Sequence, residues 1–442
     1  MSRTEIAQVP ALRAYQTSAI DRIREASAQN RAVLCVSPTG SGKTTIAGEI
    51  VRRTVDRGKR VLWLAHRTEL VGQAYDRLAE FGLDVGAVSA SSDRPPQPHA
   101  PVQVASIQTL MARGQRPAAD VVIWDECHHA VSDDWATLAT DYARARLLGF
   151  TATPERSDGR GMGPTFTSIV CAASVRELIA LGHLVPCEIL RPPERLPPKK
   201  IAQRPVDAWL ASARGRQTIV FAQWVAAAAE LVEEFRAAGV AVDMIHAGST
   251  DRSRILADYK SGKITVLVNV FVLTEGFDAP ATSCVILARG CGTVGTYLQM
   301  VGRGLRPAEG KTECLLLDLQ GVSHAHGKPE DDRTYSLDGR GISSGGDGST
   351  CPTCGGPINF EGAGCPACAT SDGVDTGPLS VTGDALVKYA AKRAESEEKR
   401  AETLARWIAV GRSKGWKQGA ALAKFKAVYG CWPSDKIRSM AS

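Results

Sequence analysis

The sequence lacks any run long and apolar enough to span a bilayer. Its first ten residues, MSRTEIAQVP, contain no apolar segment of the kind a signal peptide needs. These absences set the expectation of a cytoplasmic protein with no membrane partner. Strong net charge is missing too: 53 Lys and Arg against 47 Asp and Glu leave +6, which does not by itself mark a nucleic-acid protein. That excess is local. Between Gly411 and Ser442 lie Arg412, Lys414, Lys417, Lys424, Lys426, Lys436 and Arg438 with one acid, Asp435, so the rest of the chain is balanced. Disulfides are not expected in a reducing compartment. Eight of the twelve cysteines are scattered and read as small buried side chains or reduced thiols.

What is present is an α/β pattern. At 442 residues and 44% hydrophobic content the chain supports two to four domains with real cores. Apolar runs alternate with helical patterns: AVLCV, RVLWLA, VVIWDE and RLLGFTAT, then QTIVFA, AVDMIHA, ITVLVNV, SCVILA and ECLLLD. Such alternation predicts parallel sheets with helices on both faces. A proline- and charge-rich stretch, PCEILRPPERLPPKKIAQRP, reads as a linker between a unit at 1–190 and one at 205–325. Residues 321–350 are polar and glycine-rich and are expected to be flexible. A cysteine cluster at 350–370 and a basic helical segment at 380–442 follow.

The stretch CVSPTGSGKTT nearly matches the phosphate-binding pattern G-x-x-x-x-G-K-[ST], but Ser37 replaces the first glycine and Gly40 is extra. It sits between a strand pattern and a helical one with Ile46, Ile50 and Val51 at helical spacing. In that setting backbone N–H groups around Gly40 and Gly42 receive phosphate oxygens. Lys43 reaches the outer phosphates, and the Thr44 hydroxyl takes Mg²⁺. A chance glycine turn is the bland alternative. In VVIWDECHH, Asp125 and Glu126 end an apolar strand, where open α/β sheets place their sites. Asp125 there can hold Mg²⁺ through water, and Glu126 can deprotonate an attacking water; a surface turn is the simpler reading of the pair alone. In YLQMVGRGLRP, Gln299, Arg303 and Arg306 are spaced to share a helix face and suit a γ-phosphate and its water. A solvated basic face is the alternative there. Because these arginines lie in the second unit and the loop in the first, ATP would be bound between units.

CPTCGGPINFEGAGCPAC places Cys351, Cys354, Cys365 and Cys368 as two C-x₂-C knuckles, suited to a closed, structural zinc site with four thiolate ligands. An iron–sulfur cluster or a disulfide pair is the less favoured use of them. At the basic end Trp416, Phe425, Tyr429 and Trp432 alternate with lysines. Leu422, Phe425 and Tyr429 can share a helical face, so the segment is either a small core with a basic rim or a strand-binding module, with Lys417 and Lys424 on phosphates.

Over roughly residues 10–320 the chain resembles superfamily 2 helicases and translocases, by motifs in family order. The resemblance implies two tandem RecA-like parallel-sheet domains, followed here by the four-cysteine zinc ribbon and the basic segment. LRAYQ resembles the adenine-recognition motif, with Gln16 reading the base. SPTGSGKT resembles that superfamily's phosphate loop, in which a small residue replaces the first glycine. LAHRTELVGQ and ASIQTL look like the motifs that touch the strand backbone, through Arg67 and the Thr109 region. DECH is the Mg²⁺ and water motif, and TAT, Thr151 to Thr153, couples nucleotide to nucleic acid. NVFVLTEGFDAP resembles the motif in which Gly276 and Asp278 meet ribose and strand, and QMVGRGLR the arginine-finger motif. Within the superfamily the likeness is to RadD-type repair ATPases and phage-encoded helicases. It implies an ATP- and Mg²⁺-dependent motor on single-stranded or branched DNA, in repair, recombination or phage replication. Single-strand-binding or recombination proteins are the implied protein partners. The rival readings are a non-unwinding, ATP-gated DNA-binding protein and an RNA helicase.

Overall fold

The computed structural model describes residues 11–66, 68–90, 94, 97–129, 133–154, 161–197, 200–274, 276–338, 380–389, 397–413 and 421–422. The first lobe is a seven-stranded parallel sheet of β1 (Ala32–Val36), β2 (Val61–Ala65), β3 (Val85–Val88), β4 (Val102–Ser106), β5 (Val121–Asp125), β6 (Arg146–Thr151) and β7 (Ser168–Cys171), in the order β3-β4-β2-β5-β6-β1-β7. Its central strands are continuous apolar runs because helices cover both faces. Val33 and Cys35 point into one core, with Ile46, Val51 and Trp63. Ala32, Leu34 and Val36 point into the other, with Leu62, Trp124 and Phe166. Consecutive β1 residues thus serve opposite faces, as the two-residue period of a strand requires.

The second lobe repeats the plan. Its parallel strands are β8 (Cys187–Arg191), β10 (Thr218–Phe221), β11 (Val242–Ile245), β12 (Val266–Asn269), β13 (Cys284–Leu287) and β14 (Cys314–Asp318), in the order β11-β12-β10-β13-β14-β8. The two-residue β9 (Lys200–Ile201) pairs with β15 (Ser380–Val381). Two sequence expectations change here. The strand β8 lies in the proline- and charge-rich stretch read as a linker, yet it pairs in register with β14, Cys187 opposite Cys314 and Leu190 opposite Leu317. The second sheet therefore begins inside 1–190, the range expected for the first unit.

The second change concerns residues 321–338, expected to be flexible. The Asp318 carboxylate accepts from Val322 N at 2.9 Å and Ser323 N at 2.7 Å, which starts the short helix Ser323–His326. Arg333 then donates to the carbonyls of His326, Lys328, Pro329 and Asp331 and holds the turn together. Tyr335 and Leu337 pack against the first-lobe core, and Gly163 N donates to Leu337 O at 2.9 Å. The chain thus crosses back from the second lobe to the first. A separate unit, Lys388–Ser442, contains the helix Glu397–Ser413, whose Ala401 and Leu404 pack with Ala421. Cys351, Cys354, Cys365, Cys368, Arg67, Lys417 and Lys424 lie outside the described residues, so the zinc ribbon has no structural counterpart here. Among the described residues no helix is long and apolar enough to cross a membrane.

Candidate nucleotide site in the cleft between the two sheets

The carboxyl end of β1 turns into residues 37–42, and the helix Lys43–Val55 begins at the turn's end. Gly42 has φ 80°, in the left-handed region where a side chain is strained, and a Cβ there would lie 2.6 Å from Gln16 Nε2. Ser37 stands where the usual pattern has glycine. Its hydroxyl pairs with Ser41 Oγ at 2.6 Å, and Ser41 Oγ donates to Pro38 O at 2.6 Å. Gln16 braces the turn from behind. Its Nε2 donates to Ser41 O at 3.3 Å, its Oε1 accepts from Arg13 N at 2.9 Å, and Tyr15 also donates to Ser41 O. Gln16, expected as a base reader, is buried with both ends of its amide engaged.

Lys43 and Glu126 face each other across the cleft floor, with Nζ 2.8 Å from Oε1 and both side chains largely buried. Glu126 has φ 48°, a conformation rarely adopted outside glycine and concentrated at functional sites. Asp125 Oδ1 accepts from Glu126 N at 3.1 Å, and Asp125 and Thr44 both line the cleft. A hydroxyl and a carboxylate there form an oxygen donor set of the kind Mg²⁺ takes. The neighbouring Cys127 is no nucleophile, because burial, then Glu126 and Asp125, push its thiol well above the ordinary range.

The opposite wall comes from the second lobe. Gly276, Phe277, Asp278, Arg303 and Arg306 line the same cleft as Gly40, Gly42, Lys43, Thr44, Asp125 and Glu126, around a space of about 550 Å³. Arg306 pairs with Asp278 and donates to Phe277 O at 3.0 Å. Burial lowers its pKa, and Asp278 opposes that shift. Gly40 lies against it: a Cβ at Gly40 would be 3.1 Å from Arg306 Cγ. Arg303 is buried and donates to Phe277 O at 2.7 Å and Thr274 O at 2.6 Å, so it also fixes the loop that carries Asp278.

Gln299, expected to share the phosphate face with the arginines, instead turns to the first lobe. It donates to His128 Nε2 at 3.2 Å. His128 Nδ1 is 3.0 Å from Thr151 Oγ1, and Thr151 Oγ1 donates to Thr153 O at 2.6 Å. His128 Nδ1 is also 3.4 Å from Glu126 Oε2. His128 closes the DECH motif, but the sequence reading gave it no role of its own. Thr151 and Thr153 are fully buried and Thr109 nearly so, so none of the three presents its side chain to a strand. Beside Thr109, Gln108 donates to His66 O at 2.9 Å at that rim.

The helix Val294–Gly302 carries Gln299 and lies close on the first lobe because two of its residues have no side chain. A Cβ at Gly295 would sit 2.5 Å from Thr153 Oγ1, and one at Gly302 would sit 2.7 Å from Thr39 Cβ.

Comparison with known proteins gives two family matches. Residues 10–156 match the family described as "Type III restriction enzyme, res subunit", and residues 202–308 match "Helicase conserved C-terminal domain". A 51.5 kDa protein of Lactococcus phage (isolate 7-9) is 28% identical over 66% of this chain and 67% of its own. The "DNA 3'-5' translocase XPB2" of Sulfurisphaera tokodaii is 24% identical over 70% of this chain and 81% of its own. Two yeast relatives assigned as IRC3-type ATP-dependent helicases are longer, and the match spans 57 and 52% of them. In fold the chain is similar to a fragment assigned as the HsdR subunit of a type I restriction enzyme from Vibrio vulnificus YJ016. The TM-score is 0.58 with 22% identity, over 76% of this chain and 68% of that one.

Proposed function

Given that this chain belongs to superfamily 2 of the ATP-dependent helicases and translocases, with both motor domains in one polypeptide, we propose that it moves on or remodels single-stranded or branched DNA. The observation that carries the reading is the pairing of charges on the two cleft walls. Lys43 is neutralised by Glu126 on one lobe, and Arg306 by Asp278 on the other. A nucleotide triphosphate exchanges both pairs. Lys43 turns to phosphate oxygens as the nucleotide binds, Arg306 turns to the γ-phosphate only as it transfers, and Glu126 is released as a carboxylate that can accept a proton from the attacking water. Asp278 is released at the same time to accept from a ribose hydroxyl. Thr44 and Asp125 hold Mg²⁺, which supplies neutralisation of phosphate charge.

ATP therefore draws the lobes together through charge that neither lobe provides alone. Gln299, His128, Thr151 and Thr153 form one hydrogen-bonded chain across the same junction, so a lobe movement is felt at Glu126. Strand contacts come from the rims of both sheets, with Arg67 in the first lobe, and from Lys417 and Lys424 near the end. The relative named as a DNA 3'-5' translocase supports DNA over RNA, and we propose a role in repair, recombination or phage replication. Cys351, Cys354, Cys365 and Cys368 would form a structural zinc site, since four thiolates at that spacing leave no open coordination position.

ATP turnover on single-stranded DNA, duplex, fork and RNA, run beside strand displacement on the fork, tests this function. Stimulation by single-stranded or forked DNA with displacement is expected. Stimulation without displacement supports an ATP-gated binding protein, and preference for RNA overturns the DNA assignment.

A further inference from the structure

This inference rests on the nucleotide reading above. Lys311 follows Arg306 on the turn that leads into β14. Its ammonium carries three hydrogens and meets three main-chain carbonyls: Thr282 at 2.5 Å, Arg306 at 2.6 Å and Pro280 at 3.0 Å. Arg306 itself reaches the loop just before those residues, through Phe277 O and Asp278. The side chain of Arg306 is thus tied to the loop directly, and its main chain is tied to the same loop through Lys311. Such a closed ring limits where the guanidinium can swing opposite Gly40. Lysine is a flexible side chain, and holding it on three carbonyls is worthwhile only if the position of those carbonyls matters.

We propose that Lys311 is a positioning residue for ATP hydrolysis, holding the main chain of Arg306 against the 277–282 loop so that the guanidinium meets the transferring phosphate. The charge state of Lys311 supplies a handle. Burial pulls its ammonium down to about 8; Cys314 of β14 draws it back up, and Arg306 pushes it further down. Asp278 pairs with Arg306 nearby, and Tyr259 bonds to Thr282 Oγ1. Burial holds Tyr259 and Cys284 far above their ordinary values, so both stay neutral across this range. A neutral amine has two hydrogens for three carbonyls and aims a lone pair at the third. As pH rises through about 8, the hold on Arg306 is lost and turnover falls. ATP binding, which depends on Lys43 and the 37–42 turn, does not.

The test is steady-state ATP turnover of the full chain with single-stranded DNA, from neutral to alkaline pH, for five proteins. In the native sequence kcat should fall above pH about 8 with KM unchanged. Lys311→Arg, charged throughout, should remain active and lose that fall. Lys311→Met should be slower by about tenfold at neutral pH, with a flat profile and unchanged KM. Cys314→Ser should keep the fall but move it to lower pH, because Cys314 draws the Lys311 ammonium's pKa up. Thermal melting checks folding, and if Lys311→Met does not fold, Lys311→Arg decides. An alkaline fall that survives in Lys311→Arg, a native kcat in Lys311→Met, or a fall abolished by Cys314→Ser overturns the proposal. Failure of the native protein to hydrolyse ATP overturns the nucleotide reading along with it. Native turnover that is slowed by Arg306→Ala but indifferent to residue 311 overturns this inference alone.

Discussion

At the scale of single residues, the junction of the lobes depends on the last side chain of the DECH motif, to which the sequence reading assigned no role. His128 pairs with Gln299 through one ring nitrogen and with Thr151 through the other. Removing either partner breaks the same contact. We expect His128→Ala and Gln299→Ala each to slow nucleic-acid-stimulated turnover by about tenfold, roughly 1.4 kcal/mol, and the double variant to be no slower than the worse single one. Purely additive losses would contradict the relay. The pattern of the ATPase motifs was legible in the sequence because each needs fixed residue types at fixed spacing: Lys43 and Thr44 after Gly42, Asp125 and Glu126 at a strand end, Arg303 and Arg306 three apart. Which way Gln16 and Gln299 point was not. An amide satisfies itself on whichever neighbours the folded chain supplies, and here these are Ser41 and His128.

At the scale of elements, strands that are nearly continuous apolar runs were legible; β1, β2, β5 and β6 fall inside the quoted stretches, as do β10 to β14. β3 (VGAV), β4 (VQVAS) and β7 (SIVC) are broken by glycine or polar residues and carry too little apolar signal, and β8 is obscured by the prolines after it. Helix-to-lobe distance was also hidden, because it depends on absent atoms. The helix Val294–Gly302 can dock only because Gly295 leaves room for Thr153 Oγ1, a buried atom with no hydrogen-bond partner. Gly295→Ala should therefore push the lobes apart and raise KM for ATP several-fold, a loss of about 1 kcal/mol. Thr153→Ala should be nearly neutral, and the double variant should recover most of the loss. If the double variant is as impaired as Gly295→Ala, crowding at Thr153 is not the cause.

At the scale of the whole molecule, the segment after the second lobe is part of the motor's packing. Tyr335 and Leu337 cover the first-lobe core beside Trp124 and Phe166. A chain ending at Asp338 should retain basal ATPase activity. One ending at Ser323 should lose apolar burial of about 2 kcal/mol or more and melt several degrees lower. Both lack Ser380–Val381, so the comparison isolates this strap; equal melting would show that it adds no stability. The cysteine cluster is tested separately by metal analysis. About one zinc per chain is expected, lost in Cys351→Ser with basal hydrolysis retained, because metal binding supplies local folding energy. Iron with visible absorbance, or no metal, would contradict the four-cysteine zinc site.

The central claim is that the two lobes form one ATPase whose turnover answers to nucleic acid. Its most direct measurement is ATP turnover of the purified full chain with and without single-stranded DNA, for the native sequence and Glu126→Gln, with nucleotide binding measured in parallel. The account predicts a low basal rate, a DNA-stimulated rate at least about tenfold higher, and a Glu126→Gln protein that binds ATP without hydrolysing it. A native rate indifferent to DNA and RNA, or normal turnover in Glu126→Gln, would contradict it.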